Sequence, residues 1–317
     1  MNILMTNYRL SWYSGSDTYL YTLGVELMKR RHRVSIYSPF ISYALQGRRF
    51  EEAGFTVLNK LEDRIDVIEK GCNFDIIHGQ HNSVVSDVCN VLTKVPAIFV
   101  SHGVLPHPEK PPKDVLINKY IGVSEEVLDF QFKDIDNKRK EIIRNPIDTD
   151  RFYYSPKKIG KRLRILIVSN YFGNEWSGDE IWKAAKELNA DVDVIGTNGR
   201  MIFATEKIIK DCDIAIGLGR SILEAMAMGK PVIVGDYNGY DGLMTKQSYE
   251  KIKKCNFSGR TKKEKWDSVK LVKTIKNLFK GDYVINGLEN RDIILENHTV
   301  EKIADRFEEI YNEVLSI

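Results

Sequence analysis

Short apolar runs of strand type recur along this chain, and polar segments with helical periodicity separate them. "NILMT" around Ile3, "RVSIYS" around Val34, "FDIIHG" around Ile76, "AIFVSHG" around Phe99 and "YIGVS" around Ile121 are short apolar runs of strand type. Such runs read as strands buried on both faces, which is the pattern of a parallel sheet. Between the first two lies "SDTYLYTLGVELMKRRH", where Tyr19, Leu20, Leu23, Leu27 and Met28 share one helical face and Ser16 or Asp17 is available as N-cap. That is a βαβ unit. Right-handed crossovers of this kind build a doubly wound α/β sheet, whose ligands gather beyond the carboxyl ends of the strands.

The stretch "IIRNPIDTDRFYYSPKKIGKRL" interrupts the rhythm with prolines, a turn-prone Asn-Pro and a basic run. It is the expected domain boundary, giving domains 1–152 and 153–317, and a length of 317 residues suits two domains of ordinary size. "RILIVSN", "DVDVIG", "DIAIG" and "KPVIVG" repeat the strand pattern in the second half. The end, "TVEKIADRFEEIYNEVL", sets Val300, Ile303, Ala304, Phe307, Ile310, Tyr311 and Val314 at helical spacing, so a terminal helix over 299–316 is expected to pack back on the body.

Charge and cysteine usage exclude several function classes. With 47 basic against 44 acidic residues, the net charge of +3 does not suggest a dedicated nucleic-acid binder. Cys72, Cys89, Cys212 and Cys255 are far apart and lack CxxC spacing, which argues against a disulfide framework or a zinc site and suits a reducing cytoplasm. No run approaches the length of a spanning helix, and "MNILMTNYRL" has no signal-peptide core, so a soluble cytoplasmic chain is expected. Lys246 to Lys280 is lysine-rich and carries Tyr249, Phe257, Trp266 and Leu271. A solvated helical face is the favoured reading, with a basic surface for peripheral contact at the inner membrane face as the other.

The chemistry concentrates in "IAIGLGRSILEAMAMGKPVIVGDYNGYDG". A strand, a glycine turn and a helix opening at Ser221 follow in order, which directs backbone N–H groups and a helix dipole at an anion, with Arg220 as an added charge. Pyrophosphate is the natural guest. The Gly229-Lys230 pair follows the helix instead of preceding it, so this is no Walker A loop. Glu224, one turn into the helix, is from position alone either a ribose ligand or an exposed helix carboxylate. His78 and His81 in "HGQH" have no third ligand nearby, so they read as lining of the site and not as a metal centre.

With these residues in view, the chain resembles nucleotide-sugar-dependent glycosyltransferases of the GT-B fold, and glycosyltransferase family four in particular. "NILMTNYRLSWYSGSDTYLYTLGVELMKRRHRVSIYSP", "FDIIHGQH", "SHGV", "IGVSEEVLD", "RNPIDTDRF" and "LEAMAMGKPVIV" match that family's landmarks in order along nearly the whole chain. The resemblance implies two Rossmann-like doubly wound domains facing a central cleft. It implies an enzyme that transfers a sugar from a nucleotide-diphosphate sugar, such as a UDP or GDP sugar, to a glycan, lipid or small-molecule acceptor. No permanently bound cofactor or metal is implied. The second glutamate of the family's E-x7-E motif corresponds to Glu224, and the pyrophosphate amides correspond to Gly219, Arg220, Ser221 and Ile222. Gly15, Ser16, Asn170 and Gly196 are implied at the donor, His102 at the reacting sugar, and His78 and Asn82 on the acceptor side.

Two departures qualify the resemblance. Eight positions before Glu224 stands Ile216, where the family keeps a sugar-gripping carboxylate, and the loop before the helix is short. Relatives with the "GRSILEA" form and a later "DG", Tyr249 and "NFSGR" stretch share that shortening. In "SNYFGNEWSGDEIWKAAKEL", Ser177 precedes Gly178 where the family shows Lys-Gly, so the donor phosphates are expected to rely on Arg220, the helix terminus and Arg200, Arg260 or Lys161. The family retains anomeric configuration. An inverting GT-B transferase, with Asp17 as candidate base, and a catalytically weakened nucleotide-sugar-binding protein are the alternatives.

Overall fold

The computed structural model describes all residues except 12–13, 60–72, 158, 171, 174–177, 197–198, 201 and 317. Cys72 and Ser177 lie outside the described residues. The chain forms two compact units, Met1–Pro146 with Val300–Ile317, and Ile147–Thr299.

In the first unit the expected strands form as β1 (Asn2–Thr6), β2 (Arg33–Tyr37), β4 (Ile76–Gly79), β5 (Ala97–Ser101) and β6 (Lys119–Gly122); β3 (Thr56–Leu58) and β7 (Lys140–Ile142) add the two edges. The order is β3-β2-β1-β4-β5-β6-β7, and every neighbouring pair is parallel. Met5 stands between Ile36 and His78 in register. Ile3, Leu4 and Met5 are all buried, as a strand covered on both faces requires. The edge strands escape sequence reading because each is three residues long and carries polar residues.

Helix α1 (Gly15–Lys29) bridges β1 and β2 as expected, with Tyr19, Leu20, Leu23 and Leu27 inward. Its cap is Ser14, whose Oγ accepts from Asp17 N at 3.2 Å, and not Ser16 or Asp17. Ser14 is the last extended residue (φ −95°, ψ 163°), so its side chain alone can reach back to the third amide of the helix. Helices α2 (Asn82–Val91) and α3 (Glu125–Gln131) follow β4 and β6.

The terminal helix, Val300–Leu315, buries the seven residues named from its periodicity. All but Val300 join Ile3, Met5, Leu20, Leu23 and Leu27 in one core. This corrects the expected division, because the helix belongs to the first unit and the boundary falls after Pro146. Ile147 and Phe152 pack in the core of the second unit, which is why 147–152 folds with it. Charge pairs fix the helix further: Arg30 reaches Asp305 at 2.5 Å and Glu308 at 2.6 Å, and Arg306 reaches Glu141 at 2.5 Å.

The second unit is a five-stranded sheet of β8 (Arg164–Val168), β9 (Asp191–Ile195), β10 (Ile214–Gly217), β11 (Val232–Asp236) and β12 (Gly239–Leu243), in the order β9-β8-β10-β11-β12. The first four are parallel and were expected; β12 runs antiparallel to β11 after a tight turn. Helices α4 (Gly178–Glu187), α5 (Arg220–Ala227), α6 (Lys246–Ile252), α7 (Ser268–Asn277) and α8 (Tyr283–Asn297) complete it. Tyr249, Phe257, Trp266 and Leu271 are core residues, so they are not the aromatic part of a membrane-facing surface. Lysines of the same stretch pair with carboxylates, Lys253 with Glu250 and Lys276 with Glu187. No helix among the described residues is long and apolar enough to cross a membrane.

Because Phe307 is fully buried among strands and α1, Phe307→Ala should destabilise the first unit by ~3–5 kcal/mol. Urea unfolding followed by tryptophan-independent far-UV dichroism checks this, and a loss below about 1 kcal/mol would mean that the helix is not part of that core.

Candidate functional site

Both sheets collect polar residues at the carboxyl ends of their parallel strands, where crossover chains leave a rim of backbone open to ligands. In the second unit the rim is made by Ser169-Asn170 after β8, Gly196 after β9, Leu218-Gly219 after β10 and Asp236 at the end of β11. Gly196 has φ +131°, and a Cβ there would meet Ser169 O at 1.9 Å, so the ends of β8 and β9 touch through a position that only glycine fills. Ser169 Oγ donates to Asp236 Oδ2, burial raises the Asp236 pKa, and Trp266 Nε1 donates to Asp236 O at 3.0 Å. Ser169 and Asp236 were not singled out from sequence, and Trp266 was named only as part of the lysine-rich stretch, because only the strand order β8-β10-β11 brings the three together.

The glycine turn is shorter than the sequence reading supposed. Gly219 is the N-cap residue at φ +58°, ψ −134°, and α5 opens at Arg220, one residue before the expected Ser221. Nothing lies closer than 4.0 Å to a Cβ at Gly219, so its backbone conformation and not crowding calls for glycine. Its N–H donates to Phe257 O at 2.9 Å, which docks the "NFSGR" stretch on the turn. Ser221 Oγ donates inward to Leu218 O at 2.7 Å and so braces the turn. Ile222 is a core residue whose contribution to a ligand is its backbone alone. Ile216 is buried in mid-strand, so the position eight before Glu224 is part of the sheet and offers no side chain to a ligand.

Arg220 and Glu224, expected to hold phosphate and ribose separately, form one ion pair. Arg220 Nε donates to Glu224 Oε1 at 3.0 Å across one helical turn, with the side chains 7% and 8% exposed. Thr205 Oγ1, from the short helix Thr205–Ile209, donates to Glu224 Oε2 at 3.3 Å. Burial lowers the Arg220 pKa, while Glu224 opposes that shift and keeps the guanidinium charged. Of the other proposed cations, Arg200 meets Gly196 through its backbone at the end of β9, but its side chain pairs at the surface with Asp193 at 2.9 Å. Lys161 precedes β8, and a five-residue strand puts ~17 Å between it and the rim.

In the first unit the three adjacent strands β1, β4 and β5 end in Asn7, Gln80 and His102, and these side chains form a continuous chain of hydrogen bonds. His102 Nε2 meets Gln80 Oε1 at 2.7 Å, and Gln80 Nε2 donates to Asn7 Oδ1 at 3.2 Å and Ser16 O at 3.4 Å. Asn7 Nδ2 donates to Asp17 Oδ1 and to Arg9 O at 3.0 Å. Asp17 Oδ2 is buried without a hydrogen-bond partner, and burial pushes the Asp17 pKa up to about 7 against the hydrogen bonds from Ser14 and Asn7. The His102 ring packs edge-on against Tyr19 at 4.6 Å, and its backbone N–H donates to Glu109 Oε2 at 2.5 Å. Burial likewise raises Glu109 to about 7. Gly15 has open space where a Cβ would stand, and Ser16 Oγ lies 2.9 Å from Ser14 Oγ.

The expected acceptor-side residues fare differently. His78 is fully buried in β4, with Nδ1 at 2.7 Å from Tyr311 Oη, and desolvation lowers its pKa to about 3. It is therefore a neutral core residue and not lining, because the strand register turns its ring toward the terminal helix. His81 is at the rim with Nδ1 accepting from Tyr8 N at 3.0 Å, and burial lowers it to about 4. Its Nε2 stands 3.8 Å from Glu109, a contact of a neutral ring and not an ion pair. Asn82 opens α2, accepting from Ser83 N at 2.7 Å and donating to His107 O at 3.2 Å, so it tethers the loop before η-turn residue His107. Asn7, Gln80, Glu109 and Thr205 were missed from sequence.

No protein-family model matches the sequence, and no curated protein matches it. Solved structures do share the fold. The chain is similar to a glycosyltransferase from Rickettsia africae ESF-5, at 16% identity over 99% of this chain and 98% of that one, with a TM-score of 0.70. It is similar to the pneumococcal O-GlcNAc transferase GtfA in complex with UDP and GlcNAc, at 12% identity over 99% of both chains, TM-score 0.63. A UDP-N-acetylglucosamine 2-epimerase matches at 13% identity over 94% and 91%, TM-score 0.55. At such identities the likeness is one of fold: two Rossmann-like α/β units of GT-B type.

The raised Asp17 pKa makes a pH prediction. The native state holds the Asp17 proton more tightly than the unfolded chain, whose ordinary value is 3.8, so the contribution is fully present below that value and lost as pH rises toward about 7. Asp17→Asn should therefore remove a decline in stability between about pH 4 and 7, read as the difference between wild-type and variant urea midpoints across that window. Parallel midpoint curves would show that Asp17 is ionised like an exposed carboxylate.

Proposed function

We propose that the chain is a glycosyltransferase that moves a sugar from a nucleotide-diphosphate sugar to a glycan, lipid or small-molecule acceptor. The observation that carries this reading is the β10–α5 turn at the rim of the second sheet. There a glycine cap, the N-terminal turn of a helix and a buried Glu224 come together within one helical turn. The ordered motifs of family four, in the form with the shortened loop, support it, as do the GT-B fold and the likeness to two solved transferases.

In this reading the second unit takes the donor. The α5 dipole and the amides of Arg220, Ser221 and Ile222 receive the pyrophosphate, Glu224 receives the ribose hydroxyls, and Gly196 and Asn170 border the base. Arg220 acts chiefly by orienting Glu224, to which it is paired at 3.0 Å. The family resemblance assigns His102 to the sugar and Gly15 and Ser16, at the start of α1, to donor recognition. Charge developing on the leaving diphosphate is met by the helix terminus, without a bound divalent cation, and anomeric configuration is retained. The chain works in the cytoplasm.

Asp17 favours a second reading. A carboxyl held near 7 is suited to remove a proton from an acceptor hydroxyl, as an inverting transferase requires. NMR of the product's anomeric proton separates the two, and inverted product would overturn retention.

A panel of UDP, GDP and ADP with their sugars, screened by thermal stabilisation, identifies the donor, since binding to the native state raises apparent stability. Glu224→Gln preserves shape and hydrogen bonding to Arg220 and should weaken binding of the best nucleotide by about tenfold, ~1.4 kcal/mol. Unchanged affinity would remove Glu224 from the nucleotide site, and no stabilisation by any member of the panel would overturn the assignment of a nucleotide-sugar enzyme.

A further inference from the structure

The hydrogen-bond chain at the rim of the first sheet fixes a chemical state that its members do not disclose singly. An amide has a donor end and an acceptor end, and an imidazole has a proton on one nitrogen or the other, so their orientations follow from contacts with groups of unambiguous polarity. Two backbone carbonyls provide that polarity. Arg9 O can only accept, and Asn7 Nδ2 lies 3.0 Å from it, so the oxygen of Asn7 faces Gln80. Ser16 O can only accept, and Gln80 Nε2 lies 3.4 Å from it and 3.2 Å from Asn7 Oδ1, so the oxygen of Gln80 faces His102. A carbonyl oxygen at 2.7 Å from His102 Nε2 requires a proton on that nitrogen.

We propose that Asn7 and Gln80 are positioning residues that hold the neutral His102 ring in its Nε2–H tautomer, through a relay anchored on the backbone carbonyls of Arg9 and Ser16. The anchoring does not depend on the protonation of Asp17, because Asn7 Nδ2 reaches Arg9 O as well as Asp17 Oδ1. Gln80 is itself held at its backbone, where Gln80 N donates to Thr6 Oγ1 at 3.1 Å and Gln80 O accepts from that hydroxyl at 3.1 Å. Tyr19 packs its ring edge-on against His102, and Glu109 accepts from the His102 backbone N–H. A ring in this tautomer carries its lone pair at Nδ1. Its part in the reaction is then to accept from a substrate hydroxyl at Nδ1, and this consequence rests on the assignment of His102 to sugar transfer made above.

The tautomer is measurable with no donor or acceptor present, so a failure here is separable from a failure of the transferase reading. In the full chain labelled with 15N-histidine, the six histidines are resolved by long-range 1H–15N correlation and His102 is assigned by its absence in His102→Gln. Above the pH at which His102 titrates, Nε2 should appear in the protonated-nitrogen range and Nδ1 in the unprotonated range. A proton on Nδ1, or two averaged shifts, would overturn the proposal. Gln80→Met removes the acceptor and should bring the two shifts toward each other, while Asn7→Leu, which frees the Gln80 amide to rotate, should do so to a smaller extent. Unchanged shifts in Gln80→Met would show that the relay does not hold the ring. Gln80→Glu keeps the shape of the buried side chain and an acceptor at the same place, so it should retain the Nε2 proton and raise the pH at which His102 titrates. No rise would equally overturn the relay.

Discussion

Everything polar in this protein is arranged by the burial of parallel strands on both faces. Once β1, β4 and β5 in the first unit and β8, β10 and β11 in the second are covered by helices, their interior positions must be apolar, and the backbone groups within the strands are used in the ladders. Polar side chains from these strands then gather chiefly where the strands end. The relay from Asp17 to His102 and the bridge from Ser169 to Asp236 both occupy such ends. The one histidine inside a strand, His78, is neutral and bound to Tyr311, which is the only state its surroundings tolerate.

The same confinement explains why the second rim couples charges instead of presenting them. Arg220 and Glu224 are drawn under the β10–α5 turn by its shortness, and two charges so buried must satisfy one another. Thr205 then takes the second carboxylate oxygen. The Glu224 carboxylate is thus held at both oxygens, by Arg220 and by Thr205. In the first unit the corresponding rigidity comes from neutral amides, which fix orientation without burying charge.

Much of this was legible from residue order. Nine strand-like runs formed strands, the α1 face and the seven inward residues of the terminal helix were readable from spacing, and so was the strand–glycine–helix order of the β10–α5 turn. Ser14 was passed over as a cap because three hydroxyl or carboxyl residues cluster there and only the backbone angles choose among them. β3, β7 and β12 were missed because edge strands are short and need no apolar run.

The sequence by itself determined the local elements and the position of each turn, since periodicity, capping residues and glycines act through neighbours in the chain. Only the tertiary structure decided which ends meet. Gln80 is unremarkable in sequence and becomes the centre of a relay because β4 lies between β1 and β5, an order set by packing. The terminal helix carries an apolar stripe that would suit either unit, and it folds with the first because Phe307 and Tyr311 fill the space between β1, β4 and α1. Whether a buried histidine, arginine or glutamate serves a ligand or a neighbour is likewise a matter of distances across the fold, and no spacing along the chain encodes those distances.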